Sequence, residues 1–248
     1  MGYNAVRAIL VSRPSDIVRL YVHRDLVAAL GPELGTLAEQ RRPYHVVTDD
    51  DLDRLTQSVH HEGLAAIVRV RVPRQITEID EGPACVLVLD GVANPHNIGA
   101  IVRSAAHFGA SMVVTLGAQA VGQTPAALRT AEGGAEHVDV VAFEDFEVTF
   151  EALRSASFTI LATAAEAERE LWRTQLPERV ALVLGAEGSG SRAEVRAAAD
   201  GILRIPGTGW VESLNVSTAA AVMMAEWWRS RRFRESSQRP RRRDRRQS

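Results

Sequence analysis

Six short, dense apolar runs between residues 85 and 205 constrain this chain more than any other feature. They are Cys85–Leu89, Ser111–Leu116, Val138–Val141, Phe158–Ala162, Val180–Leu184 and Ile202–Ile205. Their apolar character is continuous rather than alternating, which suits strands buried on both faces of a parallel sheet. Helical patterns lie between them, and a long helix over about Asn215–Arg234 follows the last. Strand alternating with helix predicts an α/β fold. Hydrophobic residues make up 46% of the 248 and charged residues 24%, enough apolar material for a large core. No run approaches the ~18 apolar residues of a membrane span, so no membrane partner is expected.

Upstream the elements are smaller. Ala5–Val11 reads as a helix and Ile17–His23 as a strand. Asp25–Arg41 is helical with a break near Gly31-Pro32, and Tyr44–Val47 is a short strand. Thr48 with Asp51 forms a capping-box pattern for a helix through Val59, and Gly63–Val70 closes the module as a strand. This predicts a small α/β domain over residues 1–72 and a charged, Pro- and Gly-containing linker over 73–83. A larger domain is expected over 84–234, with a disordered Arg-rich tail over 235–248.

That tail distorts the charge balance. Residues 229–248 hold ten Arg against Glu235 and Asp244, a net +8, so the formal −2 of the chain leaves −10 on the rest. A basic tail of this kind can hold nucleic-acid phosphates without reading sequence, or serve only as a solubilising terminus. The single cysteine, Cys85, has no partner and lies in an apolar run, so a buried bystander in a reducing cytoplasm is expected. The N-terminus has no basic start followed by a long apolar stretch, so no secretory signal is expected. His60-His61 lacks a spaced second ligand set, and Asp49-Asp50-Asp51 lacks the glycine and terminal Glu of a calcium loop. No metal site is expected.

Three patches at strand-to-helix junctions carry the chemistry, where ligands of parallel sheets commonly bind. In LDGVANPHNIGAIVRSAAHFG (89–109) a helix starts near Asn97. Ile98, Ile101, Val102, Ala105 and Phe108 form its apolar stripe, with Arg103 on the opposite side. Arg103 is either a solvated arginine or a guanidinium fork for a phosphate or ribose, and Asn97 either a helix cap or a substrate contact. In LVLGAEGSGSR (182–192) three glycines flank Glu187 after a strand. The order Gly-x-x-Gly-x-Gly excludes the dinucleotide fingerprint, the P-loop and the nucleophile elbow. In RIPGTGWVESLNVSTAAAVMMAEWW (204–228) a Pro/Gly loop leads through Ser213-Leu214-Asn215 into the long helix. Its start offers either an ordinary Ser or Asn cap or an anion-favouring helix N-terminus.

The ordered set resembles the SpoU (TrmH) branch of the SPOUT superfamily, the RNA ribose 2′-O-methyltransferases. Asn97-Ile98-Gly99 with Arg103 matches the family's first motif, and Gly185-Ala186-Glu187-Gly188-Ser189-Gly190 its second. Ile205-Pro206 with Ser213–Ser217 matches the third. Residues 84–230 carry all three. NAVRAIL at the start and HHEG at 60–63 resemble the family's substrate-binding domain, itself similar to an RNA-binding ribosomal protein. Two positions beside the cofactor loop depart from the pattern: Gly207 where Met is usual, and Ser191 where Leu or Met is frequent.

The resemblance implies a parallel sheet whose C-terminal part threads into a deep trefoil knot. It implies S-adenosylmethionine (AdoMet) as cofactor, with Thr163, Gly185, Ile205 and Leu214 against it, and no metal. Arg103 would activate the ribose hydroxyl as a phosphate-anchored electrostatic group, since arginine stays protonated. Asn97, Glu187, Ser213 and Asn215 would orient Arg103 and the ribose. A homodimer through the last helix is implied, with Arg103 towards the partner. Met223, Met224, Trp227 and Trp228 fit that interface or a monomer core equally. The GAEG form and two-domain layout point to a guanosine of large-subunit rRNA. The alternatives are a tRNA D-loop guanosine methyltransferase and a non-catalytic RNA-binding or ribosome-assembly factor.

Overall fold

The computed structural model describes residues 1–117 and 121–238. The N-terminal elements are α1 (Tyr3–Ser12), β1 (Ile17–His23), α2 (Gly31–Glu39), β2 (Tyr44–Val47), α3 (Asp49–Thr56) and β3 (Leu64–Val68). They form a three-stranded sheet in the order β2-β1-β3, with β2 parallel and β3 antiparallel to β1. Val6 and Leu10 of α1 and Leu34 and Leu37 of α2 pack on Ile17, Leu20, Val22 and Leu64 of the sheet. Proline in the first turn of α2 presets its φ, so the helix starts at Gly31 and a 3₁₀ turn at Arg24–Leu26 precedes it. The Thr48–Asp51 capping box forms as expected. The helix it opens stops at Thr56 rather than Val59, because Gln57 turns left-handed at φ 53°.

The second sheet is built from β4 (Ala84–Asp90), β5 (Met112–Leu116), β6 (Asp139–Phe143), β7 (Thr159–Thr163), β8 (Arg179–Gly185) and β9 (Gly201–Leu203). The helices between and after them are α4 (Pro95–Phe108), α5 (Pro125–Thr130), α6 (Phe146–Ser155), α7 (Ala193–Ala198) and α8 (Val216–Gln238). All strand pairs are parallel, in the order β6-β5-β4-β8-β7-β9. Every residue of β4 and β5 is buried, as continuous apolar runs require. On one face Leu87, Leu89, Leu182 and Leu184 meet Ile98, Ile101 and Val102 of α4 and Met223, Met224 and Trp227 of α8. On the other, Val86, Val88, Val114 and Val183 meet Phe150 and Leu153 of α6 and Val195 of α7.

Two expectations change here. Met223, Met224 and Trp227 are at most 1% exposed inside the monomer core, so of the four candidate interface residues only Trp228, 39% exposed, faces outward. Helix α8 ends at Gln238, so 235–238 are helical although they were expected to begin the disordered tail. The rest of that tail, 239–248, lies outside the described residues. No helix among those described is long and apolar enough to cross a membrane.

Arginines join the two sheets. Arg71 and Arg74, in the segment after β3, both bind the Asp139 carboxylate at the start of β6, whose side chain is fully buried. Arg13, just after α1, grips Glu136 through Nε at 2.7 Å and Nη2 at 3.0 Å. A buried carboxylate is tolerated when such donors surround it.

Candidate active site

The strand order puts the first two motifs side by side. β4 runs next to β8 with Asp90 in register with Gly185, so the loops that follow leave the same end of adjacent strands. That end is where the chain direction across the sheet changes, the usual place for a ligand crevice.

The glycine loop after β8 is a closed turn. Gly190 N–H donates to Ala186 C=O at 2.9 Å. A Cβ on Gly185 would lie 1.8 Å from Ser191 N and 1.9 Å from Gly190 C, so only glycine fits there. Asp90, at the end of β4 and 3% exposed, anchors the far side of the loop. Its carboxylate accepts from Arg192 N at 2.7 Å and Arg192 Nε at 2.9 Å.

Glu187 projects from this loop to the other two motifs. Its Oε1 accepts from Asn97 Nδ2 at 3.0 Å and from Asn215 Nδ2. Asn215 Nδ2 also donates to Asn97 Oδ1 at 3.1 Å, closing a three-residue ring. Asn215 Oδ1 meanwhile caps α8, accepting from Ser217 N at 2.9 Å and Thr218 N at 3.3 Å. Asn97 is not a cap: α4 starts at Pro95 and its cap is Asn94, whose side chain accepts from His96 N. The glycine of the first motif serves packing. A Cβ on Gly99 would come within 2.5 Å of Ala127 C=O and 2.6 Å of Thr130 Cβ on α5.

The ring leaves out two of the expected partners. Ser213 is exposed and forms no side-chain hydrogen bond among the described residues. Arg103 lies six residues beyond Asn97, about 120° around the helix and about 9 Å along it. Its ion pair is with Glu132, at 4.0 Å, and its side chain is 64% exposed. Within one chain, therefore, Asn97, Glu187, Ser213 and Asn215 do not hold Arg103. Of the expected cofactor contacts, Thr163 Oγ1 donates to Val183 C=O at 3.1 Å, fixing the ends of β7 and β8. Ile205 is half-buried against the core and Leu214 is 44% exposed beside Asn215. Ser191 Oγ, in the glycine loop, is buried with no hydrogen-bond partner.

Residues 84–225 match the SpoU rRNA Methylase family, and residues 1–71 match the model described as RNA 2′-O ribose methyltransferase substrate binding. The chain belongs to the SpoU rRNA methylase family. The uncharacterized tRNA/rRNA methyltransferase YfiF of Escherichia coli O157:H7 is 37% identical over 92% of this chain and 67% of its own length. The 23S rRNA (guanosine-2′-O-)-methyltransferase RlmB of Bordetella pertussis strain Tohama I is 33% identical over 93% of this chain and 96% of its own. In fold, the chain resembles the SpoU methyltransferase AviRb from Streptomyces viridochromogenes, solved with AdoMet. That similarity has a TM-score of 0.80 at 22% identity, over 94% of this chain and 90% of AviRb.

The Asp90–Arg192 pair, which anchors the glycine loop, was missed in the sequence. The signal was present: a carboxylate that ends a fully apolar run must find donors or stay out of the sheet. His61 has a local role, with Nε2 3.1 Å from Asp53 Oδ1 and Nδ1 accepting from Gly63 N at 3.0 Å.

Proposed function

We propose that the protein transfers the methyl group of AdoMet to a ribose 2′-hydroxyl of structured RNA, with a guanosine of large-subunit rRNA as its target. The Asn97–Glu187–Asn215 ring carries this reading. It joins residues 90 and 118 positions apart, one from each motif, at the end of β4 and β8. Family models over both parts of the chain and the rRNA-guanosine specificity in the name of RlmB support the substrate.

The loops suit a bent, polar cofactor. Closed glycine backbone at 185–190, the half-buried Ile205 and the exposed Leu214 offer backbone hydrogen-bonding groups and apolar contact on the loops of the second and third motifs. AdoMet supplies a methyl already activated on sulfonium, so the protein's task is to place a hydroxyl in line and manage its proton. Asn97, Glu187 and Asn215 tie the three motif loops together, and Ser213, with no side-chain hydrogen bond among the described residues, is available to the ribose. Thr163, which ties β7 to β8, lies against the cofactor.

Arg103 acts as the electrostatic activator, anchored on a substrate phosphate. Because it points away from the ring of its own chain, the site is completed across a homodimer in which α8 and Trp228 contribute to the interface. A C-terminal trefoil knot brings the second and third motifs together. Residues 1–72 form the RNA-binding domain, 73–83 the linker and 84–234 the methyltransferase domain, in a cytoplasmic protein.

The test is incubation of the full-length protein with labelled AdoMet and total RNA from a strain lacking it, followed by mapping of ribose methylation. Label at one large-subunit guanosine is the expected result. RNA binding without AdoMet binding would instead favour a ribosome-assembly factor. Arg103→Ala should abolish transfer while leaving AdoMet affinity nearly intact, and near-normal turnover would remove Arg103 from the mechanism.

A further inference from the structure

The loop between β9 and α8 holds a side chain that the proposed reaction leaves unused. Trp210 is 91% exposed, the highest value among the large hydrophobic residues described. An indole can bury roughly 150–250 Å², and this one buries almost none. Gly207 and Gly209 precede it in open space, since apart from chain neighbours no atom lies within 4 Å of a Cβ built on either. Gly209 turns the chain here at φ +81°. Five residues later Asn215 joins Asn97 and Glu187, so the indole is carried by the loop that leads into this ring.

The surroundings of Trp210 indicate what covers it. Glu212 is exposed and forms no ion pair among the described residues. It sits in sequence between two exposed apolar residues, Val211 at 71% and Leu214 at 44%. Cores of protein–protein interfaces are depleted in charge, so an unpaired carboxylate amid these residues argues against burial under another protein. A nucleobase suits both features, with a π face for the indole and a polar edge for the carboxylate. An ionised carboxylate only accepts hydrogen bonds. Guanine presents two adjacent donors, N1–H and N2–H, on its Watson–Crick edge. Adenine and cytosine place a ring-nitrogen acceptor beside their amino group there, and uracil has one donor between two carbonyls.

We infer that Trp210 and Glu212 form the base-reading half of the site: the indole stacks on the target base and the carboxylate accepts from N1–H and N2–H of guanine. This rests on the methyltransferase reading and gives that reading its base specificity.

The test compares wild type, Trp210→Ala, Trp210→Phe and Glu212→Gln on the rRNA hairpin containing the mapped guanosine. The same hairpin with inosine, which lacks only the N2 amino group, is the second substrate. Trp210→Ala should lower kcat/KM and hairpin affinity by on the order of ten-fold or more, the scale of one lost base–aromatic stack. AdoMet affinity should not change, and Trp210→Phe should recover most of the loss. Wild type should prefer guanosine to inosine by on the order of ten-fold, one hydrogen bond to a charged acceptor. Glu212→Gln should bring that ratio near unity.

Unchanged RNA kinetics in Trp210→Ala, or an unchanged guanosine-to-inosine ratio in Glu212→Gln, would overturn the inference. So would dissociation of a dimer by Trp210→Ala in sedimentation, which would assign the indole to a subunit interface. If wild type transfers no methyl to any RNA, the enzymatic reading fails by itself. A hairpin located by crosslinking the bound RNA then gives both ratios as affinities by fluorescence anisotropy, without turnover.

Discussion

Replacing Glu187 with alanine removes the acceptor that two motifs share, and the structure sets the size of the effect. Glu187 Oε1 receives hydrogen bonds from Asn97 and Asn215, both from residues near solvent. Each is worth about 0.5–1.5 kcal/mol net at such a site, so Glu187→Ala should cost about 1–3 kcal/mol. For a chain of this size that lowers Tm by roughly 2–12 °C. Helix α8 should keep its start, because Asn215 Oδ1 still accepts from Ser217 N and Thr218 N. Asn215→Ala should lose that cap as well, about a further 1 kcal/mol. The double variant should be less destabilised than the sum of the singles by about 0.5–1.5 kcal/mol, since the shared bond is lost only once. Urea unfolding followed by circular dichroism measures all three. Additivity within about 0.3 kcal/mol would mean that the ring stores no coupling and that the three loops are held by something else. Because the loosened loops also shape the crevice, methyl transfer by Glu187→Ala should fall by about ten-fold or more, equivalent to at least ~1.4 kcal/mol.

Asp139→Asn should weaken the joint between the two sheets, because Arg71 and Arg74 lose the buried carboxylate they share. Allowing for the partial exposure of both arginines, about 2–4 kcal/mol and a Tm lower by roughly 4–16 °C are expected, and no change in Tm would refute the joint. Gly185→Ala should abolish AdoMet binding by calorimetry while leaving far-UV circular dichroism nearly native, since the atoms nearest the added Cβ belong to the closed loop at Gly190 and Ser191. On α8, hydrogen bonding and charge from Arg229, with help from Ser230, hold the Glu226 carboxyl below its ordinary 4.5. A depressed folded-state value stabilises above the unfolded value and loses that contribution as pH falls through the folded one. Tm should therefore drop more steeply below about pH 4.5 in wild type than in Glu226→Gln, and parallel acid limbs would refute the contribution. Burial raises the Cys85 thiol far above the ordinary thiol range, so a maleimide should label it only after unfolding.

The readings that came directly from sequence depend on local or one-dimensional physics. Strands Ile17–His23 and Tyr44–Val47 were readable because β-branched and aromatic residues cluster between breakers. The capping box at Thr48 was readable because its two partners lie three residues apart. Continuous apolar runs predicted the buried parallel strands, and the three motifs could be recognised in order. Local competition shifted some boundaries. Asn94 took the cap of α4 ahead of Asn97, and a left-handed Gln57 stopped α3 early.

Other features depended on residues far apart in the chain. Periodicity marks Met223, Met224 and Trp227 as one apolar surface, but only the packing of α8 on β4 and β8 decided that this surface faces the monomer core. The Asp90–Arg192 and Arg103–Glu132 pairs could not be deduced, because a charge in sequence does not specify its distant partner. The amino-acid order determined the three motifs and the α/β alternation that supports them. The tertiary structure decided that Asn97, Glu187 and Asn215 touch while Arg103 faces away. It did so because a parallel sheet delivers the ends of β4 and β8 to one edge, whereas a helix turns a residue six positions onward to another side.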